Sequence, residues 1–303
     1  MKSMTETISM DVDIECFPCF LRQVVIALKH VEIEREHKIE IIKQTLEDIN
    51  NTDIHLTPAH TTTLIHRRVR TLIGDDPFKE VKKRYNDVAL SLYDDLKELV
   101  TRSADPLMSA TRLAVAGNSI DFGIYTEVDI HGEIKRALDD NFSIDHFSAF
   151  REQILSNRQI LYLLDNAGEI VFDRILIETL ISMNREITAI VKGSPVINDA
   201  TMDDAMETGL TEICTVKDNG SDAIGTILQW ASDEFKELFA SAPFVISKGQ
   251  GNFETLISEN KNISFLFQAK CEVVARRIGV PRGGMIILDN GMDENGVFKG
   301  YQA

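Results

Sequence analysis

From about residue 157 onward the chain alternates between short apolar runs and amphipathic stretches, and few folds accept that rhythm. Ile160–Leu164, Ile187–Lys192, Glu212–Val216, Phe244–Ser247, Ile263–Phe267 and Met285–Leu288 are too short for helices and rich in β-branched and aromatic residues, so they predict strands. Asp173–Met183, Asp199–Glu207, Ala223–Leu228 and Phe253–Ser258, lying between them, predict helices. Repetition of this kind needs right-handed crossovers and gives a mainly parallel sheet with helices on both faces. The expected class is α/β, a three-layer α/β/α sandwich.

The amino-terminal part has a different character. From Asp13 to about Thr111 the periodicity is helical, with Thr57-Pro58, Asp75-Asp76-Pro77 and Asp105-Pro106 as helix starts. Phe20, Val24, Ala27 and Leu28 form one apolar stripe, and Val81, Tyr85, Val88 and Leu92 another. The expected division is an all-α domain over residues 1–115 and an α/β/α catalytic domain over 116–303.

Against 32 Lys and Arg stand 48 Asp and Glu, a formal charge of −16. Such a balance argues against a broad nucleic-acid or anionic-membrane surface. A small anionic substrate is still allowed, because surface charge is screened within about 10 Å at physiological salt. No stretch approaches the ~18 apolar residues of a membrane span, and the acidic, polar start is not a secretory signal. The cysteines Cys16, Cys19, Cys214 and Cys271 are too few for a disulfide scaffold, so the expected location is the cytoplasm.

The chemistry gathers at strand ends, where open α/β sheets bind ligands. Leu161–Leu164 runs into Asp165-Asn166-Ala167-Gly168-Glu169, a carboxylate and an amide beside a Gly. The second turn, Lys192-Gly193-Ser194-Pro195-Val196-Ile197-Asn198-Asp199, supplies another carboxylate; Asn198 or Asp199 is also a helix cap by type. The third, Ser247-Lys248-Gly249-Gln250-Gly251-Asn252-Phe253-Glu254, offers a Lys and a Gly-rich backbone ahead of a helix. It is not a Walker A loop. Two carboxylates and an amide oxygen suit Mg²⁺ or Mn²⁺, and the lysine with the Gly-rich turn suits phosphate. Glu169 opens a helix, where an acid suits the dipole, and is given no catalytic role.

Other features read as structural. Cys16-Phe17-Pro18-Cys19 lacks the second pair of a usual zinc site and a preceding strand, so packing is favoured over metal or redox chemistry; a cluster with Cys271 stays open. His55, His60 and His66 do not share a helix face, and Arg67, Arg68 and Arg70 read as a solvated face. Asp289-Asn290-Gly291 repeats the Asp-Asn pattern but reads as a tight turn. Asn118 and Asp121, in Ala116-Gly117-Asn118-Ser119-Ile120-Asp121, are a turn by type or a pocket edge by position.

Taken in order, Ala116–Asp121, Leu164–Glu169, Asn198–Thr201 and Ser247–Glu254 resemble the DUF89 (ARMT1-like) family of damage-control phosphatases. The Lys-Gly-Gln-Gly-Asn-Phe-Glu form and Cys-Phe-Pro-Cys look like its archaeal and bacterial branch. The resemblance spans essentially the whole chain. It implies a helical domain on an α/β/α sandwich and a divalent metal (Mn²⁺, Co²⁺, Ni²⁺ or Mg²⁺) held by Asp165, Asn166 and Asp199, with Asp203 and Asp204 as alternatives for the third ligand. It also implies Lys248 on the phosphate of a small phosphometabolite. The expected function is metal-dependent phosphomonoester hydrolysis in metabolite repair, with Asp165 and Lys248 catalytic; attack by metal-activated water and attack by Asp165 itself both stay open. Asn118, Asp121, Gly249, Gly251, Asn252 and Glu254 are expected around the substrate. The competing readings are an S-adenosylmethionine-dependent carboxyl methyltransferase and a non-catalytic phosphometabolite-binding protein. Nothing in the sequence fixes the oligomeric state.

Overall fold

The computed structural model describes residues 10–117 and 140–290, together with 132, 134 and 138. Three helices come first, α1 (Cys16–Lys29), α2 (Arg35–Asn50) and α3 (Pro58–Ile73). They close on a small core of their own, where Phe20, Val24, Leu28, Ile41, Ile65 and Val69 meet. Then come α4 (Lys79–Ser91), α5 (Tyr93–Arg102) and α6 (Pro106–Gly117). Asp105 caps α6 through Met108 N–H at 3.1 Å, as Asp105-Pro106 predicts.

The sheet has seven strands: β1 (Ile144–Asp145), β2 (Gln159–Leu163), β3 (Glu186–Val191), β4 (Thr215–Asp218), β5 (Val245–Lys248), β6 (Ile263–Gln268) and β7 (Met285–Asp289). Their spatial order is β1-β7-β6-β5-β2-β3-β4. All pairings are parallel except β6 with β7. The chain steps from β2 outward to β3 and β4, then returns to lay β5 on the other side of β2. The topological switch point therefore lies between β2 and β5, the place where open α/β sheets bind ligands at their strands' carboxyl ends.

Further helices lie among the strands: α7 (Phe147–Ser156), α8 (Glu169–Ser182), α9 (Met202–Glu207), α10 (Asp233–Ser241), α11 (Gln250–Leu256) and α12 (Glu272–Arg277). Strand β2 shows why both faces are covered. Ile160, Tyr162 and Leu164 point into one apolar cluster with α5, α6 and α8, whereas Leu161 and Leu163 point into the other with α10, α11 and α12. These are the three layers of the sandwich. On the second face Phe253 of α11 stacks on Phe267 at 4.6 Å and meets Phe265 edge-on at 5.3 Å. The expected division at residue 115 falls within α6, whose Leu107, Ala110, Leu113 and Ala114 belong to the same core as the sheet.

Local differences from the sequence-based expectations have identifiable causes. Ala223–Ile227 is an irregular loop, with Gly225 at φ +65° packed too close to Gly251 O for any side chain, and Leu228–Trp230 makes one short 3-10 turn. The helix comes later, at Asp233, where Ser232 accepts from Phe235 N–H at 3.2 Å. Helix α9 starts at Met202 because Asp204 Oδ2 accepts from Thr201 N–H at 2.8 Å, so Asp199 stays in the preceding loop. The two-residue strand β1 carries too little pattern to be seen in sequence.

Candidate active site at the sheet switch point

The turn after β2 and the turn after β5 meet across the switch point. Gly249, at φ +82° and ψ 155°, packs its Cα against the Asp165 carboxylate, and a Cβ there would overlap both Asp165 oxygens. Only glycine suits that backbone and that approach. The turn after β3 joins from the other side. Asn166 and Asp199 form an isolated antiparallel bridge, Ala200 N–H donates to Asp165 O at 2.8 Å, and Ala167 N–H donates to Asn198 O at 2.8 Å. Asp165, Asn166 and Asp199 are thus fixed together by main-chain bonds.

Electrostatically this is an uncomfortable group. Burial, then Glu169 and Asp199, raise the Asp165 carboxyl to about 7. Asp199 is raised too, chiefly by burial, with Lys192 pulling it back. Asn166 Nδ2 donates to Asp165 Oδ2 at 2.6 Å and Glu169 Oε2 at 3.1 Å, which leaves its amide oxygen for a cation. Asp199 Oδ2 is buried without a hydrogen bond; Lys192 Nζ stands 3.4 Å away. Two carboxylates, one of them with an oxygen that accepts no hydrogen bond, and an amide oxygen fit a hard divalent ion. Among the described residues no group of three or more His, Cys, Asp or Glu side chains is placed to hold a metal.

The alternatives for the third ligand are placed elsewhere. Asp203 is exposed. Asp204 accepts from Thr201 N–H, from Asn86 Nδ2 at 2.9 Å and from Lys82 Nζ at 3.2 Å, which locks α4 to α9. Asn86 also accepts from Gly168 N–H at 2.8 Å, so α4 holds the Asp165 turn from outside the sheet.

Lys248 differs most from expectation. It is fully buried, and its three donors go to Glu169 Oε1 (2.7 Å), Asp173 Oδ1 (2.5 Å) and Ala114 O (2.8 Å). Burial pulls its ammonium down, but Asp173 and Glu169 outweigh this and hold it raised. Tyr162 OH adds a bond to Asp173 Oδ1 at 2.7 Å. In this arrangement Lys248 has no donor left for a phosphate, so its expected contact with substrate is corrected to a structural one. It ties β5, α6 and α8 together beneath the site. Helix α6 comes close enough for that because Gly117 has no side chain; a Cβ would meet Phe172 Cγ at 3.0 Å.

Other expected residues are distributed as follows. Asn252 is buried and structural: it donates to Leu164 O and Lys248 O and accepts from Thr226 Oγ1 at 2.7 Å. Gly251 lies against Gly225. Glu254 accepts from Gln250 Nε2 at 2.6 Å, and desolvation pushes its carboxyl up to about 7. It sits beside the cysteines: burial raises both Cys16 and Cys19, and Glu254 and Cys271 add to the effect. All four cysteines are free. Asn118 and Asp121 lie outside the described residues.

Glu169, read from sequence only as a helix-opening acid, and Asp173 and Lys192, given no role there, are all buried. An acid at the first helical position followed by another one turn later, Glu169 and Asp173, was the available signal for a buried cation. Arg67 and Arg70 are not a solvated face, since both pair with Asp222 and Arg67 lies 4.6 Å over Trp230. His66 is buried, as a structural histidine should be. The Asp289-Asn290 turn is at the opposite sheet edge, because β7 runs against β6.

Together, fold and site define an α/β protein with buried carboxylates gathered at the switch point of its sheet. A family model for the damage-control phosphatase ARMT1-like domain matches residues 12–286, and the chain belongs to that family. A damage-control phosphatase of Pyrococcus horikoshii is 35% identical over 93% of this chain and 99% of its own length. One from Archaeoglobus fulgidus is 35% identical over 89% and 96%. The crystal structure of a DUF89 family protein from P. horikoshii superposes with a TM-score of 0.87 at 32% identity, covering 93% of this chain and all of that one.

Proposed function

We propose that this protein hydrolyses phosphomonoesters of small, unwanted or damaged metabolites such as sugar phosphates, with a divalent ion (Mn²⁺, Co²⁺, Ni²⁺ or Mg²⁺) bound by Asp165, Asn166 and Asp199. The observation that carries the reading is the approach of Asp165 and Asp199, two buried carboxylates held together at the switch point with Asn166 between them. The names of the two archaeal relatives support phosphatase chemistry in metabolite repair. No helix among the described residues is long and apolar enough to cross a membrane. Four free thiols suit the reducing cytoplasm.

A bound divalent ion would supply a Lewis acid and lower the pKa of a water that attacks phosphorus. The residues do the rest. Asp165 and Asp199 hold the charge that binds the ion, and Asn166 orients Asp165 through the 2.6 Å bond. Lys248 keeps Glu169 neutralised, so that Asp165 faces less repulsion. Amide N–H groups in the first turn of α11 have no acceptor within the helix and would be available to the equatorial phosphate oxygens that gain charge in the transition state.

The test is phosphate release from a panel of phosphomonoesters by purified protein with each ion. Activity that needs a divalent ion and disappears in Asp165→Asn supports the reading. No release with any ion, or full activity in Asp165→Asn, overturns it. Heat released on titrating S-adenosylmethionine into protein without phosphatase activity would favour methyl transfer.

A further inference from the structure

The divalent-ion reading asks something particular of Asn166, which has to meet the cation with its amide oxygen and not its amide nitrogen. Its backbone is already fixed, by the bridge to Asp199 and by Ile170 N–H, which donates to its carbonyl at 3.1 Å. The rotation of the terminal amide is what is left to set. Its oxygen and its NH₂ group are alike in size, so hydrogen bonding has to choose between them.

Glu169 makes that choice. It is buried, three residues on, at the first position of α8. Asn166 Nδ2 donates to Glu169 Oε2 at 3.1 Å as well as to Asp165 Oδ2 at 2.6 Å. Turned over, the amide would set its oxygen against two carboxylate oxygens at those same separations, a repulsive arrangement. Glu169 is in turn held by Lys248, whose Nζ donates to Oε1 at 2.7 Å and is itself fixed by Asp173 and Ala114 O. A lysine ammonium can only donate. With an ammonium on one oxygen and an amide N–H on the other, the Glu169 carboxylate is an acceptor at both ends. A continuous chain of contacts thus runs from Ala114 and Asp173 through Lys248 and Glu169 to Asn166.

We propose that Glu169 is a positioning residue of the metal site: clamped by Lys248, it turns the Asn166 amide so that its oxygen is presented to the cation. A ligand held in this way is the amide counterpart of a metal-bound histidine oriented by its outer hydrogen-bond partner. The inference rests on the divalent-ion part of the proposed function and not on which ester is turned over. The clamp makes Glu169→Gln informative. Lys248 would require the new amide's oxygen, so its nitrogen would face Asn166. Asn166 would then turn its own oxygen toward that nitrogen and present its NH₂ group to the cation, which an NH₂ group cannot bind.

The experiment titrates Mn²⁺ into metal-free protein by calorimetry, for wild type, Glu169→Gln, Asn166→Asp and the double variant, with a urea midpoint for each. Glu169→Gln should bind Mn²⁺ about 10–100-fold more weakly, the usual scale when a ligand loses its outer partner. Removing a nearby negative charge also weakens a cation, and the Asn166→Asp background separates the two effects. A carboxylate there has no nitrogen to present, so Glu169→Gln in that background should leave Mn²⁺ affinity unchanged or tighter. A loss at least about threefold smaller in the Asn166→Asp background than in wild type supports the proposal, and any smaller difference overturns it. Unchanged Mn²⁺ affinity in Glu169→Gln, with only the urea midpoint lowered, shows a merely structural role and also overturns it. Should Glu169→Gln not fold, Glu169→Asp takes its place, since it keeps the charge and shortens the reach by one methylene. Mn²⁺ weakened by more than about threefold then supports the proposal, and a smaller change overturns it. Wild type that shows this pattern yet hydrolyses no ester sinks the phosphatase reading and leaves the positioning role standing. Metal-dependent hydrolysis with equal losses in both backgrounds does the reverse. If wild type binds no divalent ion, the positioning role fails with the metal site.

Discussion

Gly249 and Asp165 are in direct contact across the switch point, the Cα of one against the carboxylate of the other. This contact joins the β5 turn to the β2 turn and fixes where the first carboxylate can stand. In Gly249→Ala a methyl group occupies the carboxylate's place on a backbone at φ +82°. The strained backbone alone costs about 1–3 kcal/mol. We expect a lower urea midpoint together with at least about tenfold weaker Mn²⁺ binding, a loss of about 1.4 kcal/mol. Unchanged Mn²⁺ affinity in a folded Gly249→Ala protein would show that this contact does not position Asp165.

Lys248 is predicted to matter for stability before activity. Lys248→Met leaves Glu169 and Asp173 buried without their counter-ion, at a cost of about 3–5 kcal/mol. Adding Glu169→Gln should restore part of that stability, because the uncompensated charge is then removed. Denaturant titration of the single and double variants reads the coupling directly. Additive losses would contradict it.

Asn86 is the corresponding clamp from the helical side. In Asn86→Ala, Gly168 N–H loses its acceptor and Asp204 and Glu207 each lose a donor. The expected loss is about 1–3 kcal/mol. Faster hydrogen exchange at Gly168 than in the wild type would place the loosening at the Asp165 turn.

His66 gives a pH dependence independent of the site. Burial lowers its pKa to about 4, with Arg70 adding to the effect. The folded value lies below the unfolded one of about 6.5, so the unfolded chain binds the extra proton between them. Stability is therefore full above about pH 6.5 and falls by about 3 kcal/mol as pH drops toward about 4. His66→Phe should flatten that part of the urea-midpoint profile; an unchanged slope would contradict the assignment.

How much of this was visible in the sequence depends on the range of the interaction. The strand β2 and its Asp165-Asn166 turn were legible because apolar run, turn residues and helix follow one another within a few positions. Helix α6 and its Asp105 cap were legible for the same reason. The role of Lys248 was not, because its acceptors come from α8 and from Ala114, far away in the chain. A lysine at a strand end before a Gly-rich turn looks like a phosphate ligand until the tertiary structure shows that its donors are taken. The Ala223–Ile227 loop was missed because its apolar residues mimic a helix while Gly225 is held against Gly251 by a contact no local pattern reveals. Glu169 opens a helix, as its position suggests, and in addition it pairs with a buried lysine that no local pattern reveals.

The central claim is that Asp165, Asn166 and Asp199 form one divalent-metal site at the switch point. A crystal soaked with Mn²⁺ and phosphate, with data collected at the manganese edge, tests it most directly. The account predicts one anomalous peak between the three side chains, with phosphate beside it. A peak elsewhere, or none at saturating Mn²⁺, would contradict it.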